Sequence, residues 1–557
     1  MDYFDLGTFT RPVSTRSPEA QLWFDRGLVW SYAFNHEEAV ICFEAAAAAD
    51  PGCAMAYWGI AYALGPNYNK PWDFFDDADL ERSVERAHAA VERAHALSDG
   101  ATPIERALIE ALRERYPASH AAEDCSLWNE PYAEAMRAVY ELAPDDLDVA
   151  TLYADALMNL TPWQLWDLRT GEPAVRARTL EAKAVLDRAL LTATGSDHPG
   201  TLHMYIHLME MSPTPEKALS VADRLRGLVP DGGHLHHMPS HLDVLCGDYR
   251  RVVSGNSDAI RADERYLRRA GAMNFYTLYR SHNYHFKIYG AMFLGQSRTA
   301  LETAAQLEAS IPEELLRVES PPMADWLEGF LAMRVHVLIR FGRWTDILAL
   351  PMPSDPGLYC VTTAMLHYAR AVAYSATGAT DEAEAERELF RRTAERVPET
   401  RMLFNNTCRD ILAIASAMLD GELDYRKGEY DAAFAALERS IELDDNLPYD
   451  EPWGWMQPTR HAYGALLLEQ GRVEEAEAVY RADLGLDNTL PRPLQHPGNV
   501  WALHGFHECL VQLGKTGEAR IVAQQLTVAT ALADVPVEAS CFCRLDTAGA
   551  KSGCISD

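Results

Sequence analysis

Positive charge is scarce in this chain. Its 50 Lys and Arg face 82 Asp and Glu, for a formal net charge of −32. A surface this acidic repels phosphate backbones, so nucleic acid is not an expected partner. Long apolar runs are missing too. No stretch of 18 apolar residues occurs, and nothing predicts a membrane span. The N-terminal residues carry Asp2 and Asp5 and lack the basic-then-apolar order of a secretory signal. Ten cysteines in 557 residues, scattered singly, predict reduced thiols in a cytoplasmic setting rather than a disulfide framework. The exception is Cys541, Cys543 and Cys554, a C-x-C and a third thiol in a small-residue stretch read as an exposed tail. The motifs G-x-S-x-G, G-x-G-x-x-G and G-x-x-x-x-G-K-[ST] are absent. Their absence removes support for a serine hydrolase, a dinucleotide site or a P-loop.

What is present is repetition. The length exceeds what one compact core can hold, which predicts several domains or a repeat array. Helical periodicity alternates with short Gly or Pro punctuation, without a run of strands. The clearest unit carries Gly27, Trp30, Ala39, Phe43, Ala46 and Pro51. Ala218, Ala222 and Pro230 repeat part of it. Gly247, Gly295, Gly342, Gly428, Gly471 and Gly514 mark further helix–helix turns. This pattern resembles the tetratricopeptide repeat (TPR), a helix–turn–helix of about 34 residues. The resemblance implies an all-α, right-handed α-solenoid of antiparallel helix pairs over residues 18–530. A lead-in (1–17) precedes it and the cysteine-containing tail (531–557) follows. Residues 66–80, 161–178 and 486–498 read as loops within the array.

Histidine is concentrated where the rest of the chain is ordinary. Eight of the 19 histidines lie between 203 and 285, at His203, His207, His234, His236, His237, His241, His282 and His285. Roughly three would be expected in such a window. Spacings of i, i+3 and i, i+4 place both imidazoles of a pair on one helix face, within reach of one metal ion. In the register of the TPR resemblance, His203 and His207 stand at groove positions 5 and 9 of a first helix, with Glu210 at 12. His237 and His241 occupy positions 5 and 9 of the next, and His282 and His285 positions 2 and 5 of a third. The resemblance implies that all three pairs share one concave trough. Pro239 interrupts the second pair, so a helix either starts there or kinks. The chain is also similar to a group of bacterial and fungal TPR proteins with the stretches His203–His207, His237–His241 and His282–His285.

The expected metal ligands are therefore His203, His207, His237, His241, His282 and His285. Glu210, His236 and His336 are further ligands or supports, and Tyr205, Tyr284 and Phe286 are walls of a substrate pocket. Imidazole-rich ligation disfavours Mg and Ca and suits copper, one or two ions, with iron or zinc as alternatives. The leading function is a copper-dependent oxidoreductase acting on a small molecule with O2. Two alternatives stand beside it: an adaptor that binds a peptide or protein partner without metal, and a Zn- or Fe-dependent hydrolase or lyase. His504 and His507, in an aromatic-rich helix, and His461 read as packing residues.

Overall fold

The computed structural model describes residues 3–192 and 197–544. The protein is all-α with TPR-like helix pairs. Among the described residues the strands amount to one short antiparallel pair, Met402–Leu403 with Asn406–Thr407. Helices run from Pro18–Tyr32 to Thr516–Thr530. The chain forms two compact units. The first comprises residues 1–242, 257–280 and 319–321, and the second 243–256, 281–318 and 322–557. Paired helices of the first unit include Pro18–Tyr32 with His36–Ala49, Leu147–Met158 with Thr179–Leu190, and Pro199–Glu210 with Leu219–Leu225. The second includes Cys408–Arg426 with Tyr430–Asp445 and Thr459–Glu469 with Val473–Asp483.

One turn recurs through the second unit and also closes the first helix pair of the first. The residue after the first helix of a pair adopts the left-handed conformation, and the N–H of the next residue donates five residues back. Gly247, Gly295, Gly342, Gly378, Gly428, Gly471 and Gly514 take this position with φ between +62° and +83°. The closing bonds, from Asp248 to the Asp243 carbonyl through Lys515 to the Leu510 carbonyl, are all 2.9 Å. This 6→1 bond satisfies carbonyls that a helix end leaves open, and glycine takes the backbone angle without a Cβ penalty. The first pair makes the same turn, with Asn35 N–H donating to Trp30 at 3.0 Å. There the left-handed residue is Phe34, at φ +54°.

Helix pairs meet through glycine and an aromatic ring. A Cβ at Gly27 or Gly59 would meet the Phe43 ring at 2.7 or 2.4 Å. In the second unit, Gly464 and Gly505 face the Tyr480 ring the same way. The ring fills the notch that two bare backbones leave, the close approach that TPR packing needs.

Residues 532–544 are not a free tail. Within the second unit, Asp534 accepts the Ser297 and Arg298 N–H groups, and Gln296 donates to the Leu532 carbonyl. Ala533 sits on the bare face of Gly295 and Phe542 on that of Gly342. Ser540 is buried, and its carbonyl accepts from Arg340. Cys541 and Cys543 are joined by a disulfide. The exposed tail expected from composition is instead a docked strap up to Arg544, and Cys554 lies outside the described residues.

Two glycine substitutions separate turn geometry from packing. Gly428 has open space where a Cβ would go, so Gly428→Ala should lower the unfolding free energy by about 1 kcal/mol through backbone angle alone. Gly27→Ala forces a methyl into Phe43 and should cost more, about 1–3 kcal/mol. Urea denaturation of the two variants measures both, and equal stability of either variant to the parent contradicts the corresponding account.

Candidate metal centre

Helix Pro199–Glu210 is locked at its start. His198 caps it, with Nδ1 accepting the Thr201 N–H at 3.1 Å and Nε2 3.0 Å from Asp148. Asp148 is buried and also takes Arg11 and the Tyr32 hydroxyl. Gly200 admits the Tyr32 ring, which would lie 2.6 Å from a Cβ there. From this fixed start the helix carries His203, His207 and Glu210 along one face. The second group sits on two short helices. Gly233–His237 is one turn, and Pro239 opens Pro239–Leu245 at the first helical position, where its missing N–H costs nothing. His234, His237 and His241 follow at i, i+3 and i+7, and their rings touch in sequence, 5.8 and 4.6 Å between centroids.

The two groups meet in the first unit. His203 Nδ1 donates to the Tyr32 carbonyl at 2.6 Å. His207 Nδ1 donates to one oxygen of Glu210 at 2.9 Å and His241 Nδ1 to the other at 2.7 Å. A carbonyl or carboxylate oxygen accepts, so each of these Nδ1 atoms carries the proton and each Nε2 keeps a lone pair. Those Nε2 atoms lie among their neighbours: His203 Nε2 is 3.2 Å from His234 Nε2, and His241 Nε2 is 2.7 Å from His237 Nε2. His203, His207 and His234 bring ligand atoms within 4.8 Å of one another, and so do His207, Glu210 and His241. All six side chains are at most 1% exposed, so they do not line an open groove.

The donor set fits a transition metal. A second partner that fixes the far ring nitrogen is the usual companion of a ligating imidazole. Nitrogens bound about 2.0–2.1 Å from one ion lie roughly 2.9–3.4 Å apart, which the His203–His234 spacing meets and the His237–His241 spacing approaches. His207 Nε2 is buried with no hydrogen-bond partner among the described atoms. Such an atom costs about 1–3 kcal/mol unless something fills its lone pair. Burial lowers His203 to about 3 and His207 well below the ordinary imidazole value, the latter helped by His203 and His237. Both are neutral and able to ligate at ordinary pH.

Aromatic rings enclose the cluster. Phe34 packs on His203, His207 and His234 at centroid distances of 4.5, 5.6 and 5.4 Å. Tyr68 and Trp163 cover His207, and Tyr279 meets His234 edge-on at 5.0 Å. Among the described residues, three non-glycine residues have positive φ: Phe34, Trp163 and Phe404. Each costs of order 1–3 kcal/mol of backbone strain, and such strain collects at functional sites. Phe34 and Trp163 both press on His207, and Phe404 lies 4.5 Å from the His282 ring.

Two of the other expected residues turn away from the cluster. His236 turns to the Pro230 carbonyl, 3.0 Å from Nε2, and is the member of its group that leaves the cluster. Tyr205 donates to Asp187 on the neighbouring helix and is not a wall of the centre. His282, Tyr284, His285, Phe286 and His336 are buried in the second unit. There His282 packs on Phe286 and Phe404, His285 Nε2 lies 2.9 Å from Met456 Sδ, and His336 edges Trp455. His234 was not among the expected ligands, although its i, i+3 spacing to His237 is a readable signal. The rings of Phe34, Tyr68 and Trp163 were also missed. Phe34 alone had a signal, an aromatic where sister turns carry glycine.

No protein-family model matches the chain, and no curated protein matches it. Solved structures of low similarity include the APC/C hetero-tetramer Cut9–Hcn1, at 13% identity and TM-score 0.32, with 88% of this chain and 76% of that chain covered. Naa15/Naa10 bound to HypK-THB is at 13% identity and 0.20, with 92% and 70% covered. Yeast Tom70 is at 11% identity and 0.26, with 91% and 99% covered. No helix among the described residues is long and apolar enough to cross a membrane.

Buried neutral histidines make stability depend on pH. Unfolded, an imidazole titrates near 6.5. Burial lowers His203, His285 and His336 to about 3 in the folded protein. Between those values the unfolded chain takes protons that the folded chain refuses. Their contribution is complete above about pH 6.5 and is lost progressively as pH falls towards 3. Metal-free protein melted at pH 7.5, 6, 5 and 4 should show a lower Tm at each step. A Tm independent of pH over that range would contradict neutral burial.

Proposed function

We propose that the first unit holds a metal centre built from His203, His207, His234, His237 and His241 with Glu210, and that the protein is a metal-dependent oxidoreductase. Copper is the favoured ion, one or two per chain, with a small-molecule substrate and O2. The observation that carries this reading is the clamping of three Nδ1 atoms, by the Tyr32 carbonyl and the two oxygens of Glu210, which leaves three Nε2 lone pairs inside a buried cluster. Five imidazoles and one carboxylate suit copper, zinc or iron and not Mg or Ca. Bound copper would supply one-electron chemistry with O2. The chain's own part is to fix tautomers through Glu210, to keep His203 and His207 neutral by burial, and to exclude water with the rings of Phe34, Tyr68, Trp163 and Tyr279.

The second reading, an adaptor for a peptide or protein partner, is favoured by the paired-helix architecture, which presents long helix faces outward. The buried histidines would take no part in it. Zinc or iron in the same ligands, with hydrolytic or lyase chemistry, is the third.

Elemental analysis of protein purified without chelator tests the reading. At least one equivalent of copper, zinc or iron is expected. His207→Ala and His241→Ala should lose it while keeping their helical circular dichroism, and His507→Ala should keep both. Glu210→Gln should weaken binding about 10–100-fold, because tautomer control is lost while ligand nitrogens remain. Oxygen uptake with the copper-loaded protein separates redox from hydrolytic chemistry. Protein that neither retains nor binds any of the three metals returns the adaptor reading.

A further inference from the structure

A cavity of about 530 Å3 lies in the first unit beside the histidine cluster. Its lining includes Phe34, Phe75, Phe275, Tyr276 and Tyr279 together with Lys70. Two of these also touch the cluster: Phe34 packs on three of its histidines, and Tyr279 meets His234. A third, Tyr276, accepts the His234 backbone N–H. The volume is that of a small-molecule pocket.

The cations around the cavity are already paired with carboxylates. Lys70 lies 2.9 Å from Asp79 and Arg82 3.7 Å from the same carboxylate, while Arg86 lies 3.1 Å from Glu44. Glu37 accepts the Phe275 N–H at 3.1 Å. The Lys70 ammonium also sits over two rings, 3.8 Å from the Phe75 centroid and 4.7 Å from that of Phe275. An anionic ligand would have to break one of these pairs. What the walls offer without such a loss is aromatic surface and hydrogen-bonding edges.

Phe34 stands between cavity and histidines in a conformation that, among the described non-glycine residues, only Trp163 and Phe404 share. Seven sister turns place glycine at this point, and Phe34 makes the same 6→1 bond with a side chain attached. Nothing in the turn itself requires the ring. The ring's contacts are with His203, His207 and His234 on one side and the cavity on the other. Strain kept at one turn out of eight, for a ring in this place, marks a positional role.

We infer that the cavity is the binding site for an uncharged, planar aromatic molecule, and that Phe34 is the shutter between that molecule and the histidine cluster. It rests on the proposed metal centre only for what the ligand meets when the shutter moves. Both parts are testable on metal-free protein, so their failure is distinct from failure of the metal reading.

The ligand probe is 2-naphthol, uncharged at neutral pH, with 2-naphthoate as its charged counterpart. Fluorescence titration of metal-free protein should show saturable 1:1 binding of 2-naphthol, and 2-naphthoate at least tenfold weaker. Absence of saturable naphthol binding, or equal binding of the two, overturns the ligand class. The shutter is read by the rate at which diethylpyrocarbonate modifies His203, His207 and His234, resolved by mass spectrometry. Modification should be slow in the parent and in Phe34→Tyr, which keeps a ring, and at least tenfold faster in Phe34→Gly. Glycine is the residue the sister turns use, so that variant keeps its backbone, which circular dichroism verifies. In Phe34→Gly, 2-naphthol should slow the modification again. Equal rates in the parent and in a folded Phe34→Gly overturn the shutter, and so does fast modification in Phe34→Tyr.

Discussion

The short helix-to-helix turn is the constraint on which the second unit and the first helix pair of the first unit depend. At these turns the chain must reverse direction in about three residues while the last helical carbonyls stay satisfied. The left-handed residue and its 6→1 hydrogen bond do both. Because the turn is short, the two helices lie close, and closeness is what the notches at Gly27, Gly59, Gly464 and Gly505 accommodate. Turn and notch are therefore one requirement expressed twice, first in backbone angle and then in side-chain volume.

Against this regular background the histidine cluster is an expense. Five imidazoles and a carboxylate are removed from water, and burial pulls His203 and His207 away from their charged forms. Hydrogen bonds recover part of that cost: Tyr32 and Glu210 accept three protons, and facing Nε2 pairs share others. The arrangement stops short of closing on itself at His207 Nε2. A layer selected for stability alone would be better served by apolar side chains of the same volume. Backbone strain at Phe34 and Trp163, both against His207, adds to the same account.

How much of this the sequence disclosed follows from how local each signal is. Turn glycines and their neighbours lie within a few residues, so six of the seven turns were readable. The seventh, at Gly378, lies between the small residues Thr377 and Ala379, without the large or charged neighbours that flag the others. The His203–His207 and His237–His241 spacings are likewise local, and Pro239 as a helix start was one of the two outcomes its chemistry allows. The division into two units was not readable, because the repeat pattern runs across it without a change in composition. Nor were the rings over His207: Tyr68 and Trp163 sit in the segments 66–80 and 161–178, where loop composition hides contacts that span up to 139 residues. His282 and His285 share the motif style of the other pairs but belong to the second unit, which a one-dimensional register has no means to show.

The strap at residues 532–544 gives the second unit a different kind of boundary. Repeat arrays are ordinarily modular: a repeat touches only its neighbours, so copies are gained or lost at an end with little consequence for the middle. Here the strap reaches back to the turns at Gly295 and Gly342 and to the buried Arg340 and Tyr480. Insertion or loss of a helix pair between Gly342 and Thr530 would move the strap out of register with all of these at once. The number of repeats in this unit is thereby held as a fixed count, and divergence is channelled into substitutions and loop lengths rather than into copy number.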